Sequence, residues 1–105
     1  MVRFGEDAQG QEASFHKGDL FEIFLAETRT TGFKWFVDRG GEPVCALVSE
    51  SAEAAPGPPG RAGTHLWQFR AAQAGTTTIV LRSRRSWETD TTPSRVFELQ
   101  IKVSE

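Results

Sequence analysis

The chain has 105 residues, with 14 Asp and Glu against 12 Lys and Arg and a net charge of −2. That length suits one domain, able to bury about two-thirds of its unfolded surface, and a single Cys excludes an intrachain disulfide. No stretch nears the ~18 apolar residues of a membrane span, and residues 1–20 lack the basic start and apolar run of a signal peptide.

The expected compartment is therefore the cytosol, or a periplasmic or secreted setting if a leader has been removed. The near-neutral total gives no general attraction to nucleic acid or membranes.

Helical periodicity is nearly absent, and the chain reads as short strands separated by turn signals. A weak run, Val2-Arg3-Phe4, comes first, and the Lys17-Gly18-Asp19 turn follows. Phe21, Ile23 and Leu25 then alternate with Glu22 and Phe24. Phe33, Trp35 and Val37 alternate with Lys34, Phe36 and Asp38, and Arg39-Gly40-Gly41 closes that run. Pro43 to Val48 is a short apolar run around Cys45, a context that predicts a buried, inert thiol rather than a nucleophile.

Ser51 to Gly63 holds Pro56, Gly57, Pro58, Pro59 and Gly60, which no helix can cross. It is long for a connection, as functional loops often are. Leu66 to Phe69 is an aromatic run, and Ala74-Gly75 is a turn. Thr76 to Leu81 is rich in β-branched residues, which favour the pleated backbone. Phe97, Leu99, Ile101 and Val103 alternate with Glu98, Gln100 and Lys102, the clearest half-buried strand of the chain. About seven short strands predict an all-β fold: one immunoglobulin-like antiparallel β-sandwich spanning 1–105.

The charge is unevenly spread. Residues 1–60 hold twice as many acidic as basic side chains, whereas 61–95 hold Arg61, Arg70, Arg82, Arg84, Arg85 and Arg95 against Glu88 and Asp90. A nucleic-acid site would need those Arg on one face, yet Arg70 and Arg82 fall on different predicted strands, so no nucleic-acid partner is expected.

No catalytic constellation appears. His16 and His65 have no Cys or His neighbour at metal-ligand spacing. Ser14 precedes His16 by two residues without a nucleophile elbow. Glu6-Asp7 flanks a polar loop, and the prolines of Gly57-Pro58-Pro59-Gly60 remove the amides that a phosphate loop needs. The chain is expected to be no enzyme, with no metal site and no cofactor.

Three loops carry the informative residues. Thr30-Thr31-Gly32 sits between two strand candidates, ahead of Phe33. Gly60-Arg61-Ala62-Gly63 ends the Pro/Gly loop, and Arg84-Arg85-Ser86-Trp87-Glu88 follows the Thr-rich strand. Residue chemistry leaves two readings of Trp87 open: a ring lying flat on the sandwich edge, or the Arg-flanked anchor of an interface.

These loops, in order, resemble the chagasin family of cysteine-protease inhibitors. The family pattern Asn-Pro-Thr-Thr-Gly-Tyr/Phe with a later aromatic is matched by Thr30-Thr31-Gly32-Phe33 with Trp35. Its Gly-x-Gly-Gly loop is matched by Gly60-Arg61-Ala62-Gly63 with Trp67, and its Arg-Pro-Trp/Phe loop in part by Arg85-Ser86-Trp87. Ala74-Gly75-Thr76 fits the family's strand connection, and the likeness runs through nearly the whole chain.

The resemblance implies a reversible, non-covalent, monomeric inhibitor whose partner is a papain-like cysteine protease. Thr30, Thr31 and Gly32 would enter the cleft, Gly60 to Gly63 would lie along one side, and Arg85 and Trp87 would contact the other. Three departures fall at that end. Thr28-Arg29 replaces Asn-Pro, Ala62 replaces a Gly, and Ser86 replaces a Pro, each lost Pro loosening its loop at a cost of ~0.4–1 kcal/mol. The alternative reading is a non-inhibitory protein-binding module on the same scaffold.

Overall fold

The computed structural model describes residues 2–27, 33–53, 63–85 and 95–105. Its elements are β1 (Val2–Phe4), a 3-10 turn (Glu6–Ala8), β2 (Glu12–His16), β3 (Leu20–Glu27), β4 (Phe33–Arg39), β5 (Cys45–Glu53), β6 (Gly63–Ala71), β7 (Gly75–Arg85) and β8 (Arg95–Ser104). They form two four-stranded sheets, ordered β1-β3-β6-β5 and β2-β8-β7-β4. The sheets stack as an immunoglobulin-like sandwich.

Pairing is antiparallel except where β1 joins β3 and β2 joins β8, both parallel. The 3-10 turn carries the chain from one sheet to the other, so the first two strands extend different sheets. At the opposite side, β5 and β4 end the two sheets, and each is interrupted by a bulge, between Leu47 and Ser49 and between Val37 and Arg39.

All seven expected runs contribute to strands, except that Pro43 and Val44 of the fourth precede β5, which starts at Cys45. The eighth strand, β2, escapes the pattern because Phe15 is its one large apolar residue. Its register on β8 is nevertheless regular, from Glu12 opposite Gln100 to His16 opposite Ser104. Two strands outrun their apolar cores. β5 continues through Ser51-Ala52-Glu53, read from sequence as the start of the irregular segment, because each residue faces one on β6. β7 continues to Arg84 and Arg85, which face Lys34 and Phe33 of β4, so Arg85 closes a strand rather than lying within the third loop.

The alternation of β8 is complete: Phe97, Leu99, Ile101 and Val103 are buried and their neighbours exposed. Period-two burial also runs along β3 through Phe21, Ile23 and Leu25, and along β6 through Trp67, Phe69 and Ala71. These inward faces meet Ile79 and Leu81 of β7 in one core. Aromatic stacking fills its β1–β2 side. The Phe15 and Phe21 rings stack at 4.5 Å, Phe21 and Phe69 stack at 5.5 Å, and Phe4 stands edge-on to Phe15 and Phe21, each at 6.1 Å. Such pairs add to area burial through their quadrupoles.

Gly41 seals the other end of the core. Its φ of +81° suits glycine, and a Cβ there would meet Thr77 Cγ2 at 3.0 Å and Cys45 Cβ at 3.3 Å. Cys45 is a free thiol with no exposure, as expected from its apolar run. Desolvation pushes its pKa up to about 11, because burial penalises the thiolate.

Two outcomes follow. Leu99→Ala removes a fully buried side chain and should cost about 2–5 kcal/mol in urea unfolding. The raised Cys45 pKa means the folded chain holds that proton more tightly than the unfolded one. Its contribution to stability is therefore full up to about pH 9 and is lost as pH rises through about 11. At pH 8 a thiol reagent should label the urea-unfolded chain while sparing the native one, and prompt labelling of the native protein would contradict this burial.

Candidate functional site

The three segments singled out in the sequence connect strand ends that lie together. The segment 28–32 joins Glu27 of β3 to Phe33 of β4, 54–62 joins Glu53 of β5 to Gly63 of β6, and 86–94 joins Arg85 of β7 to Arg95 of β8. Within one sheet, Glu27 faces Gly63 and Glu53 faces Thr64. Within the other, Phe33 faces Arg85 and Arg95 faces Ser83. All three segments thus leave from one end of the sandwich.

Of the predicted site residues, the backbones of Phe33, Gly63 and Arg85 are placed at this end. Thr30, Thr31, Gly32, Gly60, Arg61, Ala62, Ser86 and Trp87 lie outside the described residues.

The two sheets are tied to each other there. The inward row of β3 runs Phe21, Ile23, Leu25 and then Glu27, so strand geometry drives a carboxylate into the sandwich, where it is only 7% exposed. Gly63 opposite offers no side chain. His65, the next inward residue of β6, is equally buried. A buried carboxylate is costly unless hydrogen-bonded, and Glu27 is. Its Oε2 accepts the Trp35 backbone N–H at 2.9 Å and lies 2.8 Å from His65 Nδ1. Trp35 sits on edge strand β4, so this bond occupies an N–H that takes its acceptor from the other sheet. The Trp35 indole Nε1–H donates to Ala26 O at 2.9 Å, giving a second tie between β3 and β4.

The network continues outward. His65 Nε2 lies 2.7 Å from Glu50 Oε2 on β5. A ring carrying both protons can donate to both carboxylates. His65 also stacks on the Trp67 indole at 4.0 Å with planes 8° apart. On the far side, the Arg95 guanidinium lies 5.2 Å over the Trp35 ring and pairs with the Glu6 carboxylate. A cavity of about 690 Å³ opens between edge strands β4 and β5, with Glu27, Trp35, His65 and Glu50 among its walls and Lys34 and Leu47 at its sides.

The sequence marks Trp35 as a strand residue and a motif aromatic, but not as a partner of Glu27, and it does not bring Glu27, His65 and Glu50 together. The signal was present: Glu27 and His65 occupy inward positions of period-two runs, where a polar group must find a partner. Of the described Arg of 61–95, Arg70 lies on β6 in one sheet, while Arg82, Arg84 and Arg85 on β7 and Arg95 on β8 lie in the other, and Arg82 and Arg95 pair with Asp38 and Glu6.

A sandwich that sends three adjacent connections from one end, the first two with side-chain hydrogen bonds at their bases, is a loop-presenting binding domain. The family it belongs to is the chagasin family of peptidase inhibitors: the model of chagasin family peptidase inhibitor I42 matches residues 14–101. The chain is 32% identical over 103 residues to Amoebiasin-1 of Entamoeba histolytica, covering 93% of this chain and 95% of that one. The crystal structure of the cysteine protease inhibitor EhICP2 from Entamoeba histolytica superimposes with a TM-score of 0.84 at 22% identity, covering 97% and 93% of the two chains. PbICP-C, solved in complex with falcipain-2, gives 0.65 at 13% identity, covering 97% and 89%. At those identities the two structures establish the shared fold.

The network makes an energetic prediction. His65→Leu strands the buried Glu27 carboxylate with the Trp35 N–H alone and should cost about 3 kcal/mol in urea unfolding. Glu50→Gln acts on a side chain that is 44% exposed and should cost about 1 kcal/mol or less. Equal costs would mean that Glu27 does not depend on His65.

Proposed function

We propose that this domain acts as a reversible, non-covalent inhibitor of papain-like cysteine proteases, occluding the catalytic cleft with its three loops. The observation that carries this reading is the register. Glu27 beside Gly63, and Phe33 beside Arg85, bring the bases of all three motif-bearing segments to one end. Family membership supplies the target class, and PbICP-C, a domain of this fold, is itself solved in complex with falcipain-2.

In this reading Thr30, Thr31 and Gly32 enter the cleft near the catalytic cysteine. Their small or β-branched side chains let backbone into a narrow groove with few rotamers to lose. Gly60, Arg61, Ala62 and Gly63 line one wall. Phe33 completes the first-loop contact, and Arg85, Ser86 and Trp87 meet the other wall, with Trp87 as the aromatic anchor. No bond to the protease forms, and the domain contributes no catalytic group. A rigid scaffold limits the ordering cost of binding. Arg29, Arg61 and Arg85 give the tip a basic rim, so acidic cleft margins should raise the association rate.

Titration against papain tests the reading. Inhibition should appear well below tens of micromolar, and its absence there, equivalent to binding weaker than about −6 kcal/mol, would remove papain-like enzymes of that kind as targets. Trp87→Ala should weaken inhibition by about 30-fold, matching a loss of ~2 kcal/mol, with an unchanged melting temperature. A melted variant would instead place Trp87 in the core. A fully folded, non-inhibitory wild type would favour the plain protein-binding module.

A further inference from the structure

We propose that Glu27 and Trp35 are positioning residues that hold the three inhibitory loops in register with one another, acting beneath the protease-contacting residues rather than among them. The inference rests on the inhibitory reading and adds to it the device that fixes the loops' mutual geometry.

Every strand that feeds a loop contributes to one chain of contacts. Ala26 and Glu27 end β3, and Trp35 is the third residue of β4. The bonds Trp35 N–H to Glu27 Oε2 and Trp35 Nε1–H to Ala26 O therefore close the first loop at its neck, each at 2.9 Å. Glu27 also reaches His65 on β6, at 2.8 Å, and His65 reaches Glu50 on β5, at 2.7 Å, so of the two strands flanking the second loop β6 is bonded to Glu27 directly and β5 joins it through the His65 ring. The third loop is attached through the Trp35 ring. Arg95, the first residue of β8 after that loop, lies over it, and Ser83 of β7 pairs with Trp35 in the ladder.

The sheets need this tie. β3 belongs to one and β4 to the other, and no backbone ladder joins them. Three loops that engage one cleft together bind as a unit only if their spacing is set beforehand. Otherwise ordering them relative to each other subtracts from affinity. The first and third loops also lack the prolines of the family pattern, carrying Arg29 and Ser86 instead. The constraint that those prolines would have lent is supplied at the necks. Glu27 suits the task because its buried carboxylate accepts from two elements at once, and charge-assisted bonds of this kind are strong and directional.

The test compares the wild type with Glu27→Ala, Glu27→Gln and Trp35→Phe, each assayed against papain well below its own melting temperature, with backbone amide spectra recorded in parallel. Glu27→Ala should weaken inhibition about tenfold or more, and Glu27→Gln, whose amide oxygen can still accept the Trp35 N–H, should recover most of that loss. Trp35→Phe keeps the ring and the backbone bond but loses the bond to Ala26, and should weaken inhibition about threefold. In both Glu27→Ala and Trp35→Phe, amide resonances should shift in all three segments, 28–32, 54–62 and 86–94.

Undiminished inhibition by Glu27→Ala, or shifts confined to 28–32, would overturn the proposal. Should Glu27→Ala fail to fold, Trp35→Phe decides by the same two readouts. If the wild type itself does not inhibit, the inhibitory reading fails, while the resonance shifts still decide whether the three necks are coupled.

Discussion

A carboxylate driven into a sandwich by strand alternation is a liability that the surrounding residues must answer, and at Glu27 the answer organises one end of the molecule. An ionised group in that setting requires donors. Those donors come from β4 and β6, and hence from both sheets. Apolar contact across the core is non-directional and would tolerate sliding of one sheet over the other. Hydrogen bonds to one oxygen atom do not. The hydrophobic faces of β3, β6, β7 and β8 supply most of the stabilisation, and the Glu27 bonds determine the alignment at the end where the loops depart.

The fold was readable because its strands are half-buried. Phe97 to Val103, Phe21 to Leu25 and Phe33 to Val37 alternate, and a period of two leaves little room for another assignment. What the pattern did not show has a physical cause in each case. β2 contributes one large apolar side chain, Phe15, to an edge, and the outer half of β5 is an edge ladder of Ser, Glu and Ala with no large apolar residue to mark its alternation. Strand ends at Arg85 and Glu53 are set by ladder partners distant in sequence, which no local pattern contains.

The site divides along the same line. The motif residues proposed to meet a protease, Thr30 to Gly32 and Arg85 to Trp87, are legible through their likeness to the family's loop pattern. The residues beneath them were less visible. Glu27 and His65 continue the inward alternation of β3 and β6, but register decides which partners they meet, and Glu50 becomes relevant only when β5 is laid beside β6. Their meaning is tertiary: 38 residues separate Glu27 from His65 in the chain, and 2.8 Å separates their polar atoms.

The bulges in β4 and β5 bear on how such a molecule behaves when crowded. An open sandwich offers a row of unspent amides and carbonyls along each outer strand, and a neighbouring copy can add itself there. Here both outer strands on that side break step partway along, β4 after Val37 and β5 after Leu47. The Trp35 amide on β4 is already engaged, while Lys34 and Asp38 on β4 and Glu50 on β5 set charge beside the exposed backbone. An incoming strand would lose register within a few residues and desolvate those charges. The same open margin that leaves room for the cavity between β4 and β5 is thereby guarded against fibril-like stacking.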